Sequence, residues 1–166
     1  MINFYFKPLT VLIFSAFLIL SCEIKKANEN LNSDEMMIRQ IHNEYVNGWL
    51  KMDEELIMGL LEENASIQPN KLKPIEGKSE IRMFWFPNDS SKTIINEYKT
   101  EIISLNIIDT LGISTHTSLL DWTYVKDTVT FGMLQKGINT TIYRQQPDKS
   151  WKIWRSMWTD IYAERK

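Results

Sequence analysis

The feature that most constrains this chain is a change of texture near residue 92, where helix-period patterns give way to strand-forming residues. Before it, Ile38, Ile41, Tyr45, Trp49 and Met52 recur at spacings of 3, 4, 4 and 3, which lays them on one stripe of a helix. Asn32 or Ser33 can cap that helix, with Asp34 and Glu35 at the positive end of its dipole. Asp53 reads as a second cap, followed by Glu54, Glu55 and the apolar pairs Leu56/Ile57 and Leu60/Leu61, with Asn64 as the expected end. A short strand at Ala65 to Gln68 and a loop marked by Pro69 and Pro74 follow. Gly77 to Glu80 then opens a third helix with Ile81, Phe84 and Trp85 on one side, and Pro87 stops it. From Lys92 onward Thr, Ile, Val, Tyr and Trp dominate, residues that suit a pleated, half-buried surface. Strands are predicted at 94–108, 113–125, 129–145 and 151–158, with an irregularity near Gly132 or Gly137. Turns are marked at Asp109 to Gly112, Lys126-Asp127 and Pro147 to Ser150. Helices first and hairpin-linked strands afterwards predict an α+β domain with an antiparallel sheet.

The N-terminus carries a different signal. Lys7 and the nearly unbroken apolar run Leu9 to Leu20 form the charged start and apolar middle of a secretory leader. As a helix the run would span only about 18 Å at ~1.5 Å per residue, short of a hydrocarbon core of about 30 Å. Ile19-Leu20-Ser21-Cys22 resembles the lipobox of bacterial lipoproteins, with a small residue before a cysteine that is acylated and becomes the new N-terminus. Leu20 departs from the small or β-branched residue usual there. The expected organisation is a signal peptide over 1–21, a flexible tether over 22–33 and one domain over 34–166. Cys22 is the single Cys of the chain, so no disulfide within the chain can form and the core alone must stabilise the domain. Glu23 follows it where inner-membrane lipoproteins commonly carry Asp, which points to an outer-membrane anchor. Cleavage before Cys22 removes Lys7 from the 19 basic side chains and none of the 21 acidic ones, leaving a net charge of −3. With no dense Lys/Arg cluster, that charge argues against a nucleic-acid partner.

Three stretches of the mature chain resemble, in order and spacing, the nuclear transport factor 2-like superfamily, in particular its SnoaL-like and ketosteroid-isomerase-like branch. They are Glu44-Tyr45 followed by Asp53 to Leu56 and Leu60 to Ala65; Ile75 to Ile81; and Asp148 to Trp158. The resemblance implies a cone-like curved antiparallel sheet against three N-terminal helices, open at one end to a small apolar ligand, and a dimer through the outer face of the sheet. It places Trp154, Ser156 and Trp158 on the pocket face of the last strand, with Arg155 and Met157 on the dimer face. It places His116, Ser118, Leu120 and Trp122 on the pocket face of another strand, Tyr45 and Trp49 on the opposing helix, and Trp85 where it can close the mouth.

The isomerase chemistry does not carry over. Ketosteroid isomerase uses an Asp base and an oxyanion hole of a Tyr and a protonated Asp. Tyr45 matches that Tyr, but Pro69 stands at the base position and Thr141 at the second Asp, so ketosteroid isomerisation is not expected. His116 and Tyr45 remain the catalytic candidates, since a His titrating near neutrality is the usual general base. The competing reading makes His116 a hydrogen-bonded pocket or core residue, and His42, beside Ile41, a residue at the edge of the buried stripe. Asp121 has the opposite strand parity from His116, so the two should not pair. Two His, no Cys in the domain and no His-x-x-x-His spacing give no metal site, and no Gly-rich phosphate loop or Gly-x-Ser-x-Gly implies a cofactor or a serine nucleophile. Six Trp, at 49, 85, 122, 151, 154 and 158, supply core volume or flat surfaces for ring-shaped ligands. Three functions stay open: an envelope lipoprotein binding a small apolar or aromatic ligand, an enzyme of the dehydratase, cyclase or hydrolase kind, and a dimeric protein-interaction module.

Overall fold

The computed structural model describes residues 33–166. The leader over 1–21, the lipid attachment at Cys22 and nearly all of the tether lie outside the described residues. Helix α1 spans 33–51 and buries Ile38, Ile41 and His42, while Tyr45 and Trp49 pack partly buried against the core. It ends where Met52 takes a positive φ of 51° and the Asp53 amide donates to the Gly48 carbonyl at 2.9 Å. Asp53 caps α2 (Glu54–Gly59), its Oδ1 accepting the Leu56 amide at 3.0 Å.

Here the structure corrects the expected helix end at Asn64. The chain is already extended at Leu61, because β1 (Leu61–Gln68) forms a parallel ladder with the last strand, and the Ile153 amide donates to the Leu60 carbonyl at 2.8 Å. The pair Leu60/Leu61 therefore straddles a helix-strand junction, with both side chains buried. Strand β2 (Ile75–Glu76) pairs antiparallel with β1, and α3 (Lys78–Trp85) follows, seating Ile81 in the core.

Four long strands complete the sheet: β3 (Lys92–Ile108), β4 (Leu111–Lys126), β5 (Val129–Gln145) and β6 (Trp151–Arg165). The order is β2-β1-β6-β5-β4-β3, antiparallel except for the β1–β6 pair. The hairpins close at Asp109 and Asp127, both at positive φ, which Asp tolerates better than most residues. The molecule is thus α+β, a curved, open six-stranded sheet with three helices preceding its long strands.

The curvature has identifiable sources. Asn96 and Ile103 are extra residues in β3 against β4, and Trp154 and Ile161 are extra in β6 against β5. Each bulge bends its strand and increases local twist. The irregularity expected near Gly137 is the one at Ile161: a Cβ on Gly137 would stand 2.4 Å from the Thr159 carbonyl oxygen, so only Gly fits this close approach. Beyond it β6 continues to Arg165, seven residues past the expected end, paired with residues 133–136 of β5. At Gly112 a Cβ would stand 2.4 Å from the Cδ1 of Ile38 on α1, so the end of that side chain would have to shift. Ile38, Ile57, Ile67, Ile81, Tyr143, Trp151 and Ile153 form the densest part of the core under that helix.

Candidate functional site

Between the concave face of the sheet and helices α1 and α3 lies a cavity of about 430 Å³. That is within the ~300–1,000 Å³ typical of small-molecule sites. Each wall follows from strand or helix periodicity. Alternate residues of β4, namely His116, Ser118, Leu120 and Trp122, point inward, as do Gln135, Asn139, Thr141 and Tyr143 of β5. Helix α1 contributes His42, Tyr45 and Trp49 at helical spacing, and α3 contributes Phe84 and Trp85. Strand β3 adds Thr93, Ile95 and Tyr98, and the loop after β1 adds Pro69, Asn70 and Leu72.

Of the residues expected to line a pocket, Tyr45, Trp49, Trp85, His116, Trp122, Ser156 and Trp158 all do so. Trp154 does not, and the reason is the bulge: Ile153 opposes Tyr143 while Arg155 opposes Ile142, so Trp154 is the unpaired extra residue and the alternation restarts at Ser156. Its ring instead lies between two guanidinium groups, 4.2 Å from Arg144 and 4.7 Å from Arg155. Arg144 also forks onto Glu62, donating through Nε at 2.8 Å and through a terminal nitrogen, and Gln146 donates to the same carboxylate. Burial alone would raise the Glu62 pKa, but the hydrogen bonds from Arg144 and Gln146 outweigh it and hold the carboxyl below its ordinary value.

The aromatic wall is continuous. Trp49 meets Trp85 edge-on at 5.2 Å and stacks on Phe86 at 5.6 Å, and Tyr45 lies 6.1 Å from Trp49 and 6.3 Å from Trp85. Burial raises the pKa of Tyr45, lifts Tyr98 well above its usual value and pushes Tyr143 up to about 12, so these phenols are donors rather than bases at neutral pH.

The two histidines come together, which sequence reasoning missed by setting His42 at the edge of its stripe. Their rings meet edge-on with centroids 4.6 Å apart, and His42 Nε2 lies 2.8 Å from Thr100 Oγ1. His116 is 4% exposed, and its Nδ1 is buried with no hydrogen-bond partner among the described residues. Burial, reinforced by the neighbouring His42, pushes the His116 pKa down to about 4, and burial followed by the charge of Arg39 lowers that of His42. The expectation of a base titrating near neutrality is therefore corrected: both rings are neutral at pH 7. Asp121 sits away from His116, accepting hydrogen bonds from Asn96 and Lys166.

Pro69 and Thr141, which the resemblance set against the isomerases' acids, both line the cavity without a carboxylate. The one lining carboxylate is Asp160, which sequence reasoning did not single out. Continuing the alternation Ser156, Trp158 by one more step reaches it; the strand was expected to stop at 158. Asp160 Oδ2 accepts hydrogen bonds from Asn70 Nδ2 at 2.8 Å and Gln135 Nε2 at 2.9 Å, and Gln135 Oε1 accepts from Trp122 Nε1 at 2.5 Å. Deeper polar groups pair with one another: Asn139 Nδ2 donates to Ser118 Oγ at 2.8 Å, and the Thr141 and Ser156 hydroxyls lie 3.4 Å apart. Among the described residues no group of three His, Cys, Asp or Glu converges as metal ligands would.

No family model and no curated protein matches the sequence. Solved structures do match the fold. A hexachlorocyclohexane dehydrochlorinase aligns with a TM-score of 0.68 at 12% identity, over 84% of this chain and 93% of that one. A ketosteroid isomerase-like protein from Erwinia carotovora atroseptica aligns at 0.64 and 12% identity, over 76% and 95%. A nuclear transport factor 2-like protein from Cytophaga hutchinsonii aligns at 0.63 and 13%, over 76% and 98%. At such identities the likeness is one of fold, and the fold of this chain is nuclear transport factor 2-like.

Proposed function

We propose that the domain binds a small, largely apolar or aromatic ligand, and that Cys22 carries a lipid tethering it to the cell envelope, with the outer membrane favoured by Glu23. The observation that carries the binding reading is the cavity of about 430 Å³, walled by Tyr45, Trp49, Trp85, Trp122 and Trp158, with several of its inward polar groups paired to one another. Large rings supply apolar contact area at low entropic cost, and isolated polar groups fix a ligand's orientation. Trp158→Ala and Trp122→Ala each remove one wall. Each is expected to weaken binding of an apolar fluorescent probe by about ten-fold or more, which is ~1.4 kcal/mol or more, while circular dichroism stays native. Unchanged affinity in both variants would contradict the reading.

A second reading rests on the buried Nδ1 of His116 at the cavity wall, which has no hydrogen-bond partner among the described residues, since a catalytic role is one reason for a folded chain to leave such a group unsatisfied. In that reading the domain is an enzyme of dehydratase, cyclase or hydrolase type, with His116 accepting a proton and the Tyr45 phenol donating a hydrogen bond. It requires turnover abolished in His116→Gln, and an acid limb set by a histidine titrating near pH 4. We also propose homodimerisation through the outer sheet face, where Ile138 and Met157 stand on neighbouring strands with 37% and 49% of their surface exposed.

A further inference from the structure

Resting on the ligand-binding reading, we infer that the cavity selects organic cations, an aromatic or apolar body carrying a protonated amine, with Asp160 as the counter-charge. The first support is the charge of the walls. Asp160 is the one carboxylate among the lining residues, and no Lys or Arg lines the cavity with it. His42 and His116 are buried, and neither offsets the carboxylate at neutral pH. The site therefore carries one negative charge and repels anionic ligands.

The second support is how that charge is held. Trp122 Nε1 donates to Gln135 Oε1, which turns the amide so that its Nε2 faces Asp160. Asn70 approaches from the loop after β1 and donates to the same oxygen, Oδ2. Among the described residues Oδ1 has no hydrogen bond and the carboxylate has no Lys or Arg ion pair, so it is oriented without being neutralised. Both amide donors reach one oxygen, so Oδ1 keeps its acceptor capacity for a ligand. A ligand ammonium would satisfy Oδ1 with a charge-assisted hydrogen bond. The third support is the aromatic wall, because the faces of Trp and Tyr rings attract cations, and more strongly where water is excluded.

Matched pairs that share a ring and exchange an ammonium for a neutral hydroxyl test this: 2-phenylethylamine against 2-phenylethanol, tryptamine against tryptophol, and 2-(1-naphthyl)ethylamine against 2-(1-naphthyl)ethanol. Dissociation constants are measured by calorimetry at pH 7.5 on the full-length protein in lipid nanodiscs, with empty nanodiscs as reference. In at least one pair the amine is expected to bind about ten-fold more tightly or better, the scale of a hydrogen bond to a charged group. Asp160→Asn keeps the acceptor for Asn70 and Gln135 and removes the charge. In that variant the amine's advantage over the alcohol should fall within about two-fold, on the same scale. Alcohols binding as tightly as amines in the wild type would overturn the cation preference and leave the ligand-binding reading standing. A preference that persists in Asp160→Asn would overturn the role of Asp160. Binding of no compound to either protein would overturn both readings. The wild-type comparison decides the preference even should the variant fold poorly.

Discussion

His116 is a buried imidazole whose Nδ1 has no hydrogen-bond partner among the described residues, and its burial has a consequence for acid stability. Its folded pKa of about 4 lies below the ordinary value of 6.5. Between those values the unfolded chain takes up a proton that the native state refuses, so stability is present above pH 6.5 and is lost as pH falls toward 4. His42, shifted in the same direction, adds to the loss. Urea unfolding of wild type and His116→Gln across this window should show the wild type losing more, by roughly 3 kcal/mol at ~1.4 kcal/mol per pH unit. Parallel profiles would mean that His116 titrates normally. Trp154 shows the same dependence of role on surroundings. One extra residue in β6 turns its ring from the cavity to a slot between Arg144 and Arg155, whereas Trp158, four positions on, lines the cavity.

At the scale of elements, the bulges shape the cavity, and Gly137 can be tested against an indifferent glycine. Gly137→Ala forces a Cβ against the Thr159 carbonyl oxygen, a backbone atom that cannot swing aside, and should cost about 1–3 kcal/mol as overpacking does. Gly59 ends α2 with nothing within 4 Å of the point a Cβ would occupy, so Gly59→Ala should be neutral or stabilise by about 0.5–1 kcal/mol. Denaturant midpoints of the two variants should therefore move apart; similar midpoints would remove the steric basis assigned to the Ile161 bulge. The same elements mark how far periodicity could be read. The stripe of α1 needs only local geometry, so Ile38 and Ile41 were legible from spacing, whereas the inward face of His116 and Trp122 was what the family resemblance implied. The end of α2 was not legible, because Leu60/Leu61 fits a helix stripe as well as a strand start, and β6, ninety residues away, decides between them. Nor were the bulges at Trp154 and Ile161, which exist only against the register of β5. Asp160 lay one step of alternation beyond a strand end placed too early.

For the whole molecule, the order of elements was enough to reach the α+β class, since helices that precede hairpin-linked strands have few ways to cover one face of them, while the curvature of the sheet was what the family resemblance implied. The cavity follows from that curvature and from large rings on α1, α3, β4 and β6 whose facing surfaces do not fill the concave side. The cavity adjoins the buried core, since Leu61, Tyr143 and Ile153 belong to both. Native mass spectrometry of the full-length protein, extracted from the membranes of its own host, tests the proposal most directly. One spectrum reports the mass at Cys22, the oligomer and any retained molecule. A diacyl or triacyl mass and a dimer are expected, each protomer holding one small molecule that dissociates on activation and is weakened by Trp158→Ala. An unlipidated protein would contradict the tether, and an acylated protein that never carries a small molecule would contradict the function assigned to the cavity.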